Sequence, residues 1–67
     1  MNKFAERLKE LRVENNLSQR ELGKKTGYSQ ASIARWEAKL QIPNIDVAIT
    51  FAKFFNVSTD YLLGLEE

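Results

Sequence analysis

The chain contains neither cysteine nor histidine. Without thiolates or imidazoles it has no disulfide framework, no zinc finger and no histidine general base, and only poor material for haem ligation. Proline occurs once and glycine three times in 67 residues, and there are no repeats or low-complexity tracts, so a single small domain spanning residues 1–67 is expected. A chain of this size buries only about 60% of its unfolded surface, which implies modest stability. Apolar runs stop after a few residues, far short of the roughly 20 needed to cross a bilayer. The opening Met-Asn-Lys-Phe-Ala-Glu lacks the apolar core of a signal peptide, which fits a reduced, cytoplasmic setting. Asp46, Asp60 and the hydroxyls supply no base, nucleophile and orienter at a recognisable spacing, and no glycine-rich cofactor loop is present. No enzyme, cofactor, metal or small-molecule site is therefore expected.

Charge of either sign is nearly balanced, with a net charge of +1, yet it is unevenly placed. Residues 1–39 carry nine of the ten bases against five acids, a net +4, whereas residues 40–67 carry Lys53 against Asp46, Asp60, Glu66 and Glu67, a net −3. The positive field thus falls in the first half, as expected if that half faces phosphates; a solvated surface with incidental asymmetry is the other reading.

What the first half does contain is a stretch from Leu17 to Glu37 that reads as two short helices around a glycine turn. Ser18 with Glu21 three residues later is the capping-box spacing, in which each side chain satisfies an orphan backbone N–H. Gly27 suits the left-handed residue that closes such a helix, and Ser29 is placed to cap the next. Only Gly27 to Ser29 remain for the connection. A helix, a tight turn containing glycine and a second helix over about residues 18–38 form a helix-turn-helix, whose second helix can enter the DNA major groove.

Within it, Leu22 points inward. Gly23 costs about 1 kcal/mol relative to alanine in mid-helix, so it reads either as the site of a close helix crossing or as a tolerated surface glycine. At about 100° per residue, Gln30, Ala31, Ala34 and Arg35 share one face of the second helix, over about Gln30 to Ala38, while Ile33 and Trp36 lie on the other. The presented face carries an amide suited to adenine, a guanidinium suited to guanine and alanine methyls suited to thymine.

The flanking segments read as further helices. Asn2 can cap a helix from about Lys3 to Glu14, with Phe4, Leu8 and Leu11 as its apolar stripe. Ile42-Pro43 marks a loop, after which Asn44 can cap a helix to Phe55 with Ile45, Ala48, Ile49, Ala52 and Phe55 on one stripe. Val47 and Phe54 fall almost opposite. Either this helix is buried on more than one side, or these residues form an apolar patch for a partner subunit. Ser58 can cap a short last helix through Leu63, stopped by Gly64; Leu65-Glu66-Glu67 reads as a fraying end or the start of a further segment.

The residues Leu17-Ser18-Gln19, Glu21-Leu22-Gly23, Gly27, Ser29-Gln30, Ser32-Ile33, Trp36-Glu37, Pro43-Asn44, Ala52, Asn56-Val57-Ser58 and Asp60-Tyr61-Leu62-Leu63 resemble the phage-repressor class of helix-turn-helix proteins. That class includes lambda repressor, Cro and the Xre-like bacterial regulators. The resemblance implies an all-α, compact five-helix, lambda-repressor-like domain that binds double-stranded operator DNA, commonly as a homodimer, and regulates transcription, with repression the expected direction. It places Gln30, Ala31 and Arg35 where base edges are read. Gln19 and Ser32 match phosphate-contacting positions, to which Tyr28 and Lys39 are added. Arg12 and Glu37 match a structural salt bridge between the first and third helices; Gly23, Gly27, Ile33 and Trp36 match scaffold positions. The dimer surface does not transfer by motif, and Val47, Phe54 and Leu63 are the candidates for it. One departure stands out: where many relatives carry a Gly- and Lys-rich turn along the DNA backbone, this chain has Ala38-Lys39-Leu40-Gln41-Ile42. The alternative function is a protein-interaction domain of the same fold that no longer binds DNA.

Overall fold

Four short polar residues set the starts of the helices. Ser18, Ser29, Asn44 and Ser58 each hold an extended backbone and accept a hydrogen bond from the N–H three residues on, at Glu21, Ser32, Val47 and Tyr61. In the computed structural model, which describes residues 3–65, these caps begin α2 (Gln19–Thr26), α3 (Gln30–Glu37), α4 (Ile45–Phe55) and α5 (Thr59–Leu63), preceded by α1 (Phe4–Glu14). The expected capping box is complete: Ser18 Oγ accepts from the Glu21 N–H at 3.0 Å, and the Glu21 carboxylate accepts from the Ser18 N–H at 2.8 Å. Helix α1 differs from expectation. Its cap residue is Lys3, without a side-chain cap bond, and Asn2 lies outside the described residues.

The ends are set by left-handed residues. Gly27 closes α2 at φ +88°, while Asn16, Lys39 and Asn56 adopt φ near +60° after α1, α3 and α4. Asparagine tolerates this region; lysine does so only at some cost, about 1–2 kcal/mol from its Cβ. Lys39 is held there because the chain folds back on the last turn of α3, with Lys39 N–H donating to Trp36 O at 3.2 Å and Leu40 N–H to Arg35 O at 2.9 Å.

The helices enclose one core of Phe4, Leu8, Leu11, Leu22, Ile33, Trp36, Val47, Phe51, Ala52 and Leu62. The α1 stripe, Leu22, Ile33 and Trp36 are buried as expected. Helix α4 is rotated from the expected stripe: Phe51 is fully buried and Val47 is only 7% exposed, while Ile45 is 75% exposed. An aromatic cluster explains the choice. Phe51 packs against Phe4, Tyr28 and Trp36 with ring centroids 5.3–6.2 Å apart, and Tyr28 meets Trp36 edge to face. Burying a phenylalanine is worth about 1.5–3 kcal/mol. Val47 therefore belongs to the core and not to a free dimer surface. Leu63 is half-buried against the same core, which leaves Phe54 as the surface residue of the three.

Helix α5 is tied back to α1. Arg7 donates to Tyr61 O at 2.7 Å and its guanidinium lies 4.1 Å from the centroid of the Tyr61 ring, and the Lys3 N–H donates to Leu63 O.

Hydrogen bonds from the Ser18 backbone and side chain, with the nearby charges of Lys25 and Lys24, hold the Glu21 carboxyl below its ordinary value of 4.5. A carboxyl depressed in the folded state contributes stability above its unfolded pKa and loses it as pH falls through the folded value. The stability gap between the native chain and Glu21→Gln should therefore narrow as pH is lowered from about 7 to about 3, read from urea unfolding at each pH. A gap independent of pH would contradict this cap's electrostatic role.

Candidate nucleic-acid interface

The geometry of the two central helices begins with Gly23, one of the buried residues of α2. A Cβ placed there would lie 2.5 Å from the backbone carbonyl oxygen of Tyr28 and 3.6 Å from Ile33 Cδ1. The glycine therefore lets the turn and the start of α3 close directly onto α2. This is the close crossing that offsets its helix cost of about 1 kcal/mol.

A second device fixes the far end of α3. Arg12 on α1 grips Glu37 side-on, Nε to Oε2 at 2.7 Å and Nη2 to Oε1 at 3.0 Å, while its Nη1 donates to Leu17 O at 2.8 Å. Gln19 Nε2 adds a third hydrogen bond to the same carboxylate at 3.1 Å. The expected Arg12–Glu37 pair is thus present, with side chains only 13% and 6% exposed. The hydrogen bond and charge of Glu37 hold the Arg12 guanidinium still more firmly protonated, against the opposing effect of burial. One carboxylate joins α1, the α1–α2 turn, α2 and α3.

With Ile33 and Trp36 buried, the opposite face of α3 is presented. Gln30, Ala31 and Arg35 are exposed along it and Ala34 is half-buried between them. Arg35 is not loose: its Nε donates to Gln41 Oε1 at 3.0 Å and its Nη2 to Ser32 Oγ at 3.2 Å. Ser32 Oγ also accepts from Ser29 Oγ at 2.9 Å. The other expected contact residues flank this face. Gln19 is half-buried and uses one amide hydrogen on Glu37. Tyr28 has its ring in the aromatic cluster. Lys39 is exposed, with its ammonium 3.3 Å from Glu6 in a pair whose members are each 58% exposed, so this pair adds little stability and yields readily to another anion. Sequence reasoning missed Gln41. It stands six residues beyond Arg35 across a turn, and no helical or strand spacing connects the two.

Among the described residues no group of three or more His, Cys, Asp or Glu side chains could hold a metal ion, and no helix is long and apolar enough to cross a membrane.

Residues 8–62 match the helix-turn-helix family model. The chain belongs to the Xre-like helix-turn-helix family. Over 64 residues, 96% of the chain, it is 38% identical to the HTH-type transcriptional activator BcrR of Enterococcus faecalis. Over the same length it is 33% identical to the HTH-type transcriptional regulator YobD of Bacillus subtilis and 34% to ImmR of the same organism. The chain spans 31%, 57% and 50% of the lengths of BcrR, YobD and ImmR. The P22 c2 repressor, solved in complex with a synthetic operator, superposes with a TM-score of 0.84 at 32% identity, covering 94% of this chain and 96% of that one. A transcriptional regulator from Listeria innocua superposes with a TM-score of 0.89 at 25% identity, covering all of this chain and 63% of that one. The expected all-α, five-helix repressor-like fold is borne out.

Removing the carboxylate tests how much the α1–α3 tie matters. Glu37→Ala should lower stability by about 1–3 kcal/mol, because it strands a mostly buried guanidinium. The same substitution in an Arg12→Met background should cost much less, measured from urea midpoints of the four proteins. Additive effects would contradict the pairing.

Proposed function

We propose that this domain binds double-stranded operator DNA sequence-specifically and regulates transcription by occupancy, with α3 in the major groove. The observation that carries this reading is the presented face of α3, where Gln30, Ala31 and Arg35 stand exposed on a helix held at both ends. In this reading Gln30 pairs with adenine N6 and N7, Arg35 with guanine O6 and N7, and Ala31 touches a thymine methyl. Gln19 through its second amide hydrogen, Tyr28, Ser32 and Lys39 contact phosphates, assisted by the N-terminus of α2. The operator complex of the P22 c2 repressor supports the choice of ligand. Blocking or recruiting polymerase then depends on where the operator lies relative to the promoter, and the setting is cytoplasmic. Two copies bind as a homodimer on DNA, with the surface around Phe54 as the contact.

A second reading, a protein-interaction domain, is favoured by the exposed apolar residues that follow α3: Leu40, Ile42 and Ile45 are 77%, 83% and 75% exposed. Gel shifts at low salt separate the two, since a DNA binder retards any duplex there and releases it steeply as salt rises. For the leading reading, binding sites are selected from random duplexes and each base pair is then varied. Arg35→Ala should lose about 1–3 kcal/mol of discrimination at one base pair and little elsewhere. An unchanged preference at every position would remove α3 from the groove.

A further inference from the structure

The hydrogen bonds to Arg35 define more than a resting position. A guanidinium has two edges able to make paired hydrogen bonds: a side edge formed by Nε and Nη2, and an outer fork formed by Nη1 and Nη2. Arg12 shows the first in use, gripping Glu37 through Nε and Nη2. In Arg35 the side edge is already taken by two acceptors of the chain itself, Gln41 Oε1 on Nε and Ser32 Oγ on Nη2. What remains is the outer fork, with both hydrogens of Nη1 and one of Nη2.

Both acceptors are themselves placed. Ser32 lies one helical turn before Arg35, and its hydroxyl is held by Ser29. Gln41 returns to α3 because Lys39 adopts its left-handed conformation and Leu40 N–H bonds Arg35 O, which reverses the chain over the last turn. The turn after α3 thus delivers an amide oxygen to Arg35 itself.

We infer that Gln41 is a positioning residue for base readout: with Ser32, it occupies the side edge of Arg35 and commits the outer fork to guanine. This rests on the reading of Arg35 as a base contact. An arginine ordered before binding loses less side-chain entropy on reaching the groove, and a committed edge admits only one approach to O6 and N7. Gln41 is exposed, so its replacement leaves the core intact.

The test uses the selected duplex and its single-base-pair variants with five proteins: the native chain, Gln41→Met, Gln41→Glu, Arg35→Ala and the Arg35→Ala/Gln41→Met double variant. Gln41→Met keeps the length and removes the acceptor. It should reduce discrimination about three- to tenfold at the base pair that Arg35→Ala flattens, with an unchanged salt slope. Gln41→Glu retains the acceptor and should keep that discrimination while weakening binding to every duplex. In the double variant the methionine should add nothing to Arg35→Ala. Two outcomes overturn the inference alone: Gln41→Met leaves discrimination intact, or it weakens all duplexes equally with a shallower salt slope, which marks Gln41 as a direct phosphate contact. If Arg35→Ala itself changes preference nowhere, the reading of Arg35 fails and this inference with it.

Discussion

The carboxylate of Glu37 is the point on which the arrangement of α1, α2 and α3 depends. It terminates α3, yet its three hydrogen bonds come from Arg12 on α1 and Gln19 at the start of α2. Arg12 then reaches the carbonyl of Leu17, so the turn entering α2 is tied to the same centre. A mostly buried pair of this kind adds little net stability over well-packed apolar residues, because both charges lose water. Its value lies in geometry: a side-on guanidinium and carboxylate accept few orientations, and α3 is set by whichever one satisfies them.

Packing does the rest. Gly23 lets the turn carbonyl of Tyr28 sit where a side chain would stand, which brings α2 and α3 together at one end, while Glu37 holds the other. Beneath them Phe51, Trp36, Tyr28 and Phe4 fill the space between α1, α3 and α4 with tilted and edge-to-face rings. One polar atom lies in the cluster: the buried indole nitrogen of Trp36, which has no hydrogen-bond partner among the described residues.

Much of this was legible in the sequence because the relevant signals are local. Ser18 with Glu21, Gly27, Ser29, Asn44 and Ser58 act within four residues, so their spacing alone placed the ends of α2, α3, α4 and α5. The faces of α1 and α3 followed from clear apolar stripes. Helix α4 was harder because its apolar residues cover most of the circumference; Asp46, Thr50 and Lys53 at i, i+4 and i+7 mark a narrow polar face, opposite which stand Ala48, Phe51, Ala52 and Phe55, and the stripe drawn through Ile45 and Ile49 was turned away from that axis. The choice fell to Phe51 and the rings it meets, a tertiary matter. Gln41 was invisible for a related reason. Its contact with Arg35 crosses a turn whose left-handed residue is a lysine, where sequence rules look for glycine or asparagine.

The most direct test of the central claim is nuclear magnetic resonance mapping of the backbone amides of the 15N-labelled chain, free and bound to a duplex selected from a random pool. If α3 is the reading helix, the largest shift changes fall on Gln30, Ala31, Arg35, the start of α2 and the Lys39–Gln41 turn, while α5 and the C-terminal half of α4 change less. Changes confined to α4 and α5, with α3 silent, would contradict it.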